Sequence, residues 1–120
     1  MKPHIILWIS FFVALSCDED PWITCGANPV EDQAWLAGEI QEMEESGMSQ
    51  FLYVSQARLG LMTVFTFRNC CPYCSTVVPV YSCSGDRIGF IGYGEGGINP
   101  NALANEVVVW KPDNSACTFQ

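Results

Sequence analysis

The apolar positions of this chain change their period once. Trp35, Leu36, Ile40 and Met43 recur at helical steps and form the stripe of an amphipathic helix. Asn28-Pro29-Val30-Glu31 supplies the start, with Asn as N-cap, Pro in the first helical position and Glu at the third. The predicted helix runs to about Ser46, with Gly47 as its stop. Glu31, Asp32, Glu39, Glu42, Glu44 and Glu45 occupy the remaining positions and read as a solvated face. From Phe51 onward every segment reads as β. Phe51-Leu52-Tyr53-Val54 opens the series. Leu61 to Phe67 carries apolar groups on both faces, so a central strand is expected there. Thr76 to Tyr81 contains Pro79, which lacks a ladder donor and predicts an edge position or a bulge. Ser84-Gly85-Asp86 is turn chemistry, and Arg87 to Ile91 returns as a hairpin partner. Glu106 to Trp110 is the last predicted strand.

Between those last two strands lies Gly92-Tyr93-Gly94-Glu95-Gly96-Gly97, followed by Asn99-Pro100-Asn101. A phosphate-binding Gly-x-Gly-x-x-Gly needs a strand before it and a helix after it. No helix pattern follows here, and Glu95 repels phosphate, so the stretch reads as a long flexible surface loop over 92–105. Tyr93, Glu95 and Asn99 are its candidate binding residues, since recognition commonly sits on loops held by a rigid scaffold.

Seven cysteines punctuate the chain, four of them in or just after Asn69-Cys70-Cys71-Pro72-Tyr73-Cys74. With Cys17 set aside, Cys25, Cys70, Cys71, Cys74, Cys83 and Cys117 form an even set able to close three structural disulfides, in any of 15 connectivities. Neighbours Cys70 and Cys71 are not expected to pair with each other. Cys71-Pro72-Tyr73-Cys74 also has the form of a redox dithiol. That chemistry uses a thiolate at a helix N-terminus in a βαβ unit, whereas β-like residues follow Cys74. A four-thiolate zinc site is the third alternative, and it lacks a second C-x-x-C.

The start of the chain reads as an address. Ile5 to Leu15 is an apolar run broken by Ser10, shorter than the roughly 20 residues that span a bilayer, and it follows a basic start as in a secretory signal. Ala14-Leu15-Ser16-Cys17 resembles the bacterial lipobox, whose cysteine is lipidated and becomes the mature N-terminus. Asp18-Glu19-Asp20 follows at once and resembles the surface-export tag of Bacteroidota lipoproteins. Two or three acyl chains on one residue anchor stably where a single chain is marginal.

Removal of residues 1–16 leaves 104 residues, with thirteen acidic side chains against Arg58, Arg68, Arg87 and Lys111, a formal charge of −9. Such a surface repels phosphate backbones, so no nucleic-acid partner is expected. The single histidine, His4, falls in the signal, which removes Ser-His-Asp and Cys-His mechanisms from the mature chain. No cofactor, no metal and no enzymatic activity are expected.

The acidic tag, Trp35-Leu36, Cys70-Cys71, Val80-Tyr81-Ser82-Cys83-Ser84-Gly85 and Gly96-Gly97-Ile98 together resemble a family of small uncharacterised lipoprotein domains from Bacteroidota, over roughly residues 30–117. The chain departs from that pattern at Ile88-Gly89, where relatives carry a cysteine, and Cys25 stands as the substitute partner. The resemblance implies an address and a fold, and no activity.

The combined expectation is an α+β fold, one N-terminal amphipathic helix packed on a small antiparallel sheet of about four or five strands and stapled by disulfides. Residues 1–16 are the signal peptide, 17–27 a lipid-anchored acidic linker and 28–120 one domain. The expected function is a non-enzymatic binding module at the outer membrane or cell surface, held in the membrane by its lipid and binding an envelope protein or extracellular ligand. The alternatives are a proteinase inhibitor-like domain and a thiol-disulfide oxidoreductase through Cys71 and Cys74. Mass spectrometry of the exported protein should find an acylated Cys17 at the N-terminus, and Cys17→Ala should release a soluble form. A free N-terminus at another residue would contradict the lipoprotein reading.

Overall fold

The computed structural model describes residues 25–74 and 77–119. The predicted signal, Cys17 and Asp18–Asp20 lie outside the described residues. The fold is α+β, with helix α1 (Pro29–Asp32), helix α2 (Ala34–Glu45) and strands β1 (Leu52–Leu59), β2 (Met62–Asn69), β3 (Pro79–Ser82), β4 (Arg87–Ile91), β5 (Gly97–Ile98) and β6 (Leu103–Trp110). The strands form one sheet in the order β5-β4-β3-β2-β1-β6.

Two helices stand where one was predicted. Gln33 is extended, at φ −104° and ψ 104°, and splits the run. Its side-chain amide donates to the Cys25 carbonyl at 3.0 Å, and Cys25 is buried and bonded to Cys83. The first turn is therefore oriented by a covalent tie to the sheet, and the chain bends at Gln33 to enter α2. The Asn28 side chain makes no cap; instead the Asn28 N–H donates to Asp32 Oδ2 at 3.2 Å. The C-terminus falls where expected, with Ser46 as C-cap after Glu45.

The sheet has six strands rather than four or five, and it is mixed. β4 and β5 run parallel, with Phe90 opposite Gly97 and Ile91 opposite Ile98. The other pairings are antiparallel. The predicted loop at 92–105 thus contains β5, a 3-10 turn at Pro100–Ala102 and the start of β6. Close approach makes this possible: a Cβ on Gly89 would stand 2.6 Å from the Gly96 carbonyl oxygen, so the two chains meet only through glycine. β3 is interior, between β2 and β4, which rules out the edge position for Pro79. Pro79 is the first residue of its strand, and a register shift at Val80/Tyr81 supplies the irregularity. β2 is interior, as its two apolar faces predicted.

The sheet is curled into an open barrel. Six flat strands would hold β5 and β6 five spacings apart, about 24 Å. Ile98 and Leu103 are joined by five Cα steps, at most about 19 Å even when extended, and a 3-10 turn shortens them further. The concave side is filled by Ala57, Val64 and Val80, with Leu59, Met62, Ile91, Ile98 and Leu103 packed against them, so all six strands contribute. α2 lies on the convex side. There Leu36 and Ile40 are buried with Cys25, Val54 and Phe65, and Trp35, Met43 and Phe67 pack around them. This is the predicted helical stripe. Trp35 is its hub. Its ring lies edge-on to Phe65 and Phe67, at 5.8 and 6.4 Å, and tilted against Tyr81 at 5.9 Å. The indole N–H donates to the Cys83 carbonyl at 2.7 Å. Gly85, at φ +89°, lies under the ring; a Cβ there would sit 2.8 Å from an indole carbon.

Three disulfides join Cys25 to Cys83, Cys70 to Cys117 and Cys71 to Cys74. The first two span 58 and 47 residues. On chain-entropy grounds each stabilises by about 4 kcal/mol, against about 2 for a ring of four residues. Cys70 and Cys71 do not pair with each other, as expected: Cys70 ties the end of β2 to the tail, and Cys71 closes its own turn. Trp35→Ala should cost roughly 3–5 kcal/mol, the range for an aromatic removed from a core. Trp35→Phe, which keeps the stacking and loses the bond to Cys83, should cost about 1 kcal/mol. Chemical denaturation of the oxidised protein measures both, and an unchanged midpoint for Trp35→Ala would refute the hub.

Candidate functional site

Two irregularities set the course of β6 along β1. Ala57 stands opposite two residues, Asn105 and Glu106, because Gln56 pairs with Val107 while Arg58 pairs with Ala104. Asn105 takes the left-handed conformation, φ 54°, that such a bulge requires. The second shift, at Val54/Ser55, sets Val109 out of register. Consecutive residues Val109 and Trp110 can then both pack on the helix-side cluster.

The first bulge delivers a carboxylate to the concave side of the sheet. Glu106 Oε1 accepts from Ser55 Oγ at 2.6 Å and from Arg68 Nε at 2.5 Å, and Oε2 accepts from Arg68 Nη2 at 3.0 Å. Since the Ser55 proton goes to the carboxylate, the Thr66 hydroxyl donates to Ser55 Oγ. Ser55 and Thr66 are buried, Ser55 only 1% exposed. That hydroxyl is closed to a substrate, and the cluster joins the buried Ser55–Thr66 pair to the partly exposed Arg68–Glu106 ion pair.

The outer side of β6 is different. Among the described residues, β6 pairs only with β1 and ends the strand order. Val107 and Val108 are 55% and 40% exposed on it. Edge strands usually carry charge or proline as protection, and Val107-Val108-Val109 carries neither. Beyond it lies a hollow of about 380 Å³ lined by Val108, Val109, Trp110, Lys111 and Phe119. A second hollow of about 460 Å³ shares Trp110 and Lys111 and is bounded by Glu44, Ser49, Pro112, Asp113 and Asn114. Trp110 and Lys111 form the ridge between an apolar and a polar depression. The tail that builds this wall is pinned: Cys117 is bonded to Cys70, and the Ala116 N–H donates to the Gln50 carbonyl at 2.8 Å. Phe119 then stands edge-on to Tyr53 at 5.0 Å, with Lys111 Nζ 5.0 Å over its ring.

The six cysteines singled out from the sequence are joined in pairs, and the three loop residues lie elsewhere than this wall. Tyr93 is 81% exposed and Glu95 is exposed, both in the turn between β4 and β5. Asn99 caps the 3-10 turn, its Oδ1 accepting from the Asn101 N–H at 2.9 Å. None of the three lines either hollow. Sequence reading missed the β6 wall. Its one signal was the unalternating Val107-Val108-Val109-Trp110, apolar on both faces, but exposure follows from strand order, which the pattern does not carry. Among the described residues, no group of three or more His, Cys, Asp or Glu side chains is placed to hold a metal ion, and no helix is long and apolar enough to cross a membrane. No protein-family model matches the chain, and neither a curated protein nor a solved structure does.

Glu106→Ala should destabilise the fold by about 1 kcal/mol, because Ser55 loses a charge-assisted acceptor and must turn its proton to Thr66, while Arg68 loses a partly exposed bidentate partner. Glu106→Gln, which still accepts from Ser55, should recover part of that loss. Equal melting temperatures for the wild type and Glu106→Ala would show that the network contributes nothing.

Proposed function

We propose that the protein is a non-enzymatic binding module of the cell envelope, anchored by a lipid on Cys17, whose contact surface is the open edge of β6. The observation that carries this reading is the unprotected Val107-Val108 edge running into the Trp110–Lys111–Phe119 wall. An extended segment of an envelope or extracellular protein fits such an edge. Its backbone continues the sheet ladder, and its alternate side chains enter the hollows. Trp110 and Phe119 supply rigid aromatic contact area at small entropic cost. The scaffold suits the task, since the disulfides and the curled sheet fix the edge before a partner arrives. The signal-like start, the lipobox-like cysteine, the acidic tag and the resemblance to Bacteroidota lipoprotein domains support the address, and the charge of the mature chain disfavours nucleic acid as a partner.

A photo-crosslinking residue placed at position 108 should yield an adduct with one defined envelope protein in intact cells. Val107→Lys, which puts a charge on the edge without touching the core, should reduce that adduct at least tenfold. Adducts formed from position 93 and not from 108 would return the site to the β4–β5 turn and refute the β6 reading.

A further inference from the structure

The three disulfides differ in what they hold. Cys25 is 3% exposed and ties the helical layer to the sheet through Cys83, inside the cluster under Trp35. Cys70–Cys117 pins the tail against the 3-10 turn at Ser49–Phe51. Cys71–Cys74 joins residues three apart and spans no two elements. Its ring stands at the surface: Tyr73 is 96% exposed, Pro72 is exposed, and both cysteines are partly exposed. The turn is also held without the sulfurs. The Cys71 N–H donates to Asn69 Oδ1 at 2.7 Å, and the Cys74 N–H donates to the Cys71 carbonyl at 3.3 Å.

A disulfide resists reduction by as much as its closure stabilises the fold, because the two equilibria are linked. Cys25–Cys83 and Cys70–Cys117 draw on the packing around them. Cys71–Cys74 draws on a surface turn that keeps its hydrogen bonds when the sulfurs part. Exposed bridges of this kind are the more oxidising and the more accessible ones. We propose that Cys71–Cys74 is a thiol–disulfide exchange site, which accepts two electrons from an accessible dithiol on another exported protein while the other two bridges stay closed.

The exchange balances in two steps. A thiolate of the partner attacks Sγ of Cys71 or Cys74, the intramolecular bond breaks, and a mixed disulfide forms. The displaced sulfur leaves as a thiolate and takes up a proton. The partner's second thiol, having lost its proton, attacks its own sulfur in the mixed disulfide and expels the remaining cysteine, which is protonated in turn. The partner leaves as a disulfide, poorer by two electrons and two protons, and the ring holds both as two thiols. Each chain completes one exchange, and re-oxidation is no part of the proposal. The attacking thiolate belongs to the partner, so the ring needs no cation or helix terminus beside it. Tyr73 at the tip sets an aromatic face next to the bond that breaks, which suits a dithiol flanked by apolar residues. Exchange at this ring does not depend on the β6 edge.

Graded dithiothreitol applied to the oxidised full chain, followed by alkylation and peptide mass spectrometry, should label Cys71 and Cys74 at least tenfold before any of the other four. Circular dichroism should stay unchanged at that point. A short peptide with two cysteines separated by two residues and flanked by apolar ones should be oxidised once per chain. The double variant Cys71→Ser/Cys74→Ser should stay folded, with its melting temperature lowered by about 10 °C, and lose the peptide oxidation. Labelling of all six cysteines together on unfolding would overturn the proposal. So would a Cys71–Cys74 pair that reacts last, peptide oxidation that survives in the double variant, or a pair that is reduced without oxidising the peptide.

Discussion

The arrangement depends on how Trp35 is held. Its indole N–H is bound to the carbonyl of Cys83, and the sulfur of that same residue is bound to Cys25. One residue of the β3–β4 turn therefore fixes the chain ahead of α1 through a covalent bond and α2 through a hydrogen bond. Gly85 leaves the space that the ring occupies, and Phe65, Phe67 and Tyr81 present their rings to it from two strands. A helix of twelve residues with only Leu36 and Ile40 fully buried is held weakly by area alone. The aromatic contacts and the disulfide supply what its apolar stripe does not.

β2 serves two cores at once. Phe65 and Phe67 face α2, while Met62 and Val64 face the inside of the curl. The concave core is small, and among the described residues no helix covers it. The sheet encloses it with its own edges, and the Ser55–Thr66–Glu106–Arg68 network shares that side with it. Hydroxyls are tolerated there because each has a partner, and Arg68 brings the bidentate geometry that fixes Glu106.

What the sequence made legible follows from what periodicity encodes. The stripe Trp35, Leu36, Ile40 and Met43 and the two-faced apolar run of β2 are both local patterns, and both appear in the fold. The break at Gln33 was not legible, since nothing in Glu31-Asp32-Gln33-Ala34 opposes a helix. The bend comes from Cys25 and its partner 58 residues away. β5 was hidden because it is two residues long and its glycines answer a close backbone approach, which is a tertiary demand. The first residues of β6 were hidden by Asn105, a turn-like residue used here to make a bulge. Cysteine pairing carries no local pattern at all. The candidate site was missed for a related reason: a run of valines reads alike on a buried strand and on an open edge.

The short connection through Asn99–Ala102 has a consequence for assembly. An open sheet offers two free edges, and a chain with two complementary edges can add copies at both ends without limit. Here the curl turns β5 toward the start of β6, and β5 is only two residues long. Among the described residues, only the Val107–Trp110 end of β6 presents a run long enough to be extended. A domain with one such terminus can cap a strand or close a pair, but it cannot propagate a fibre.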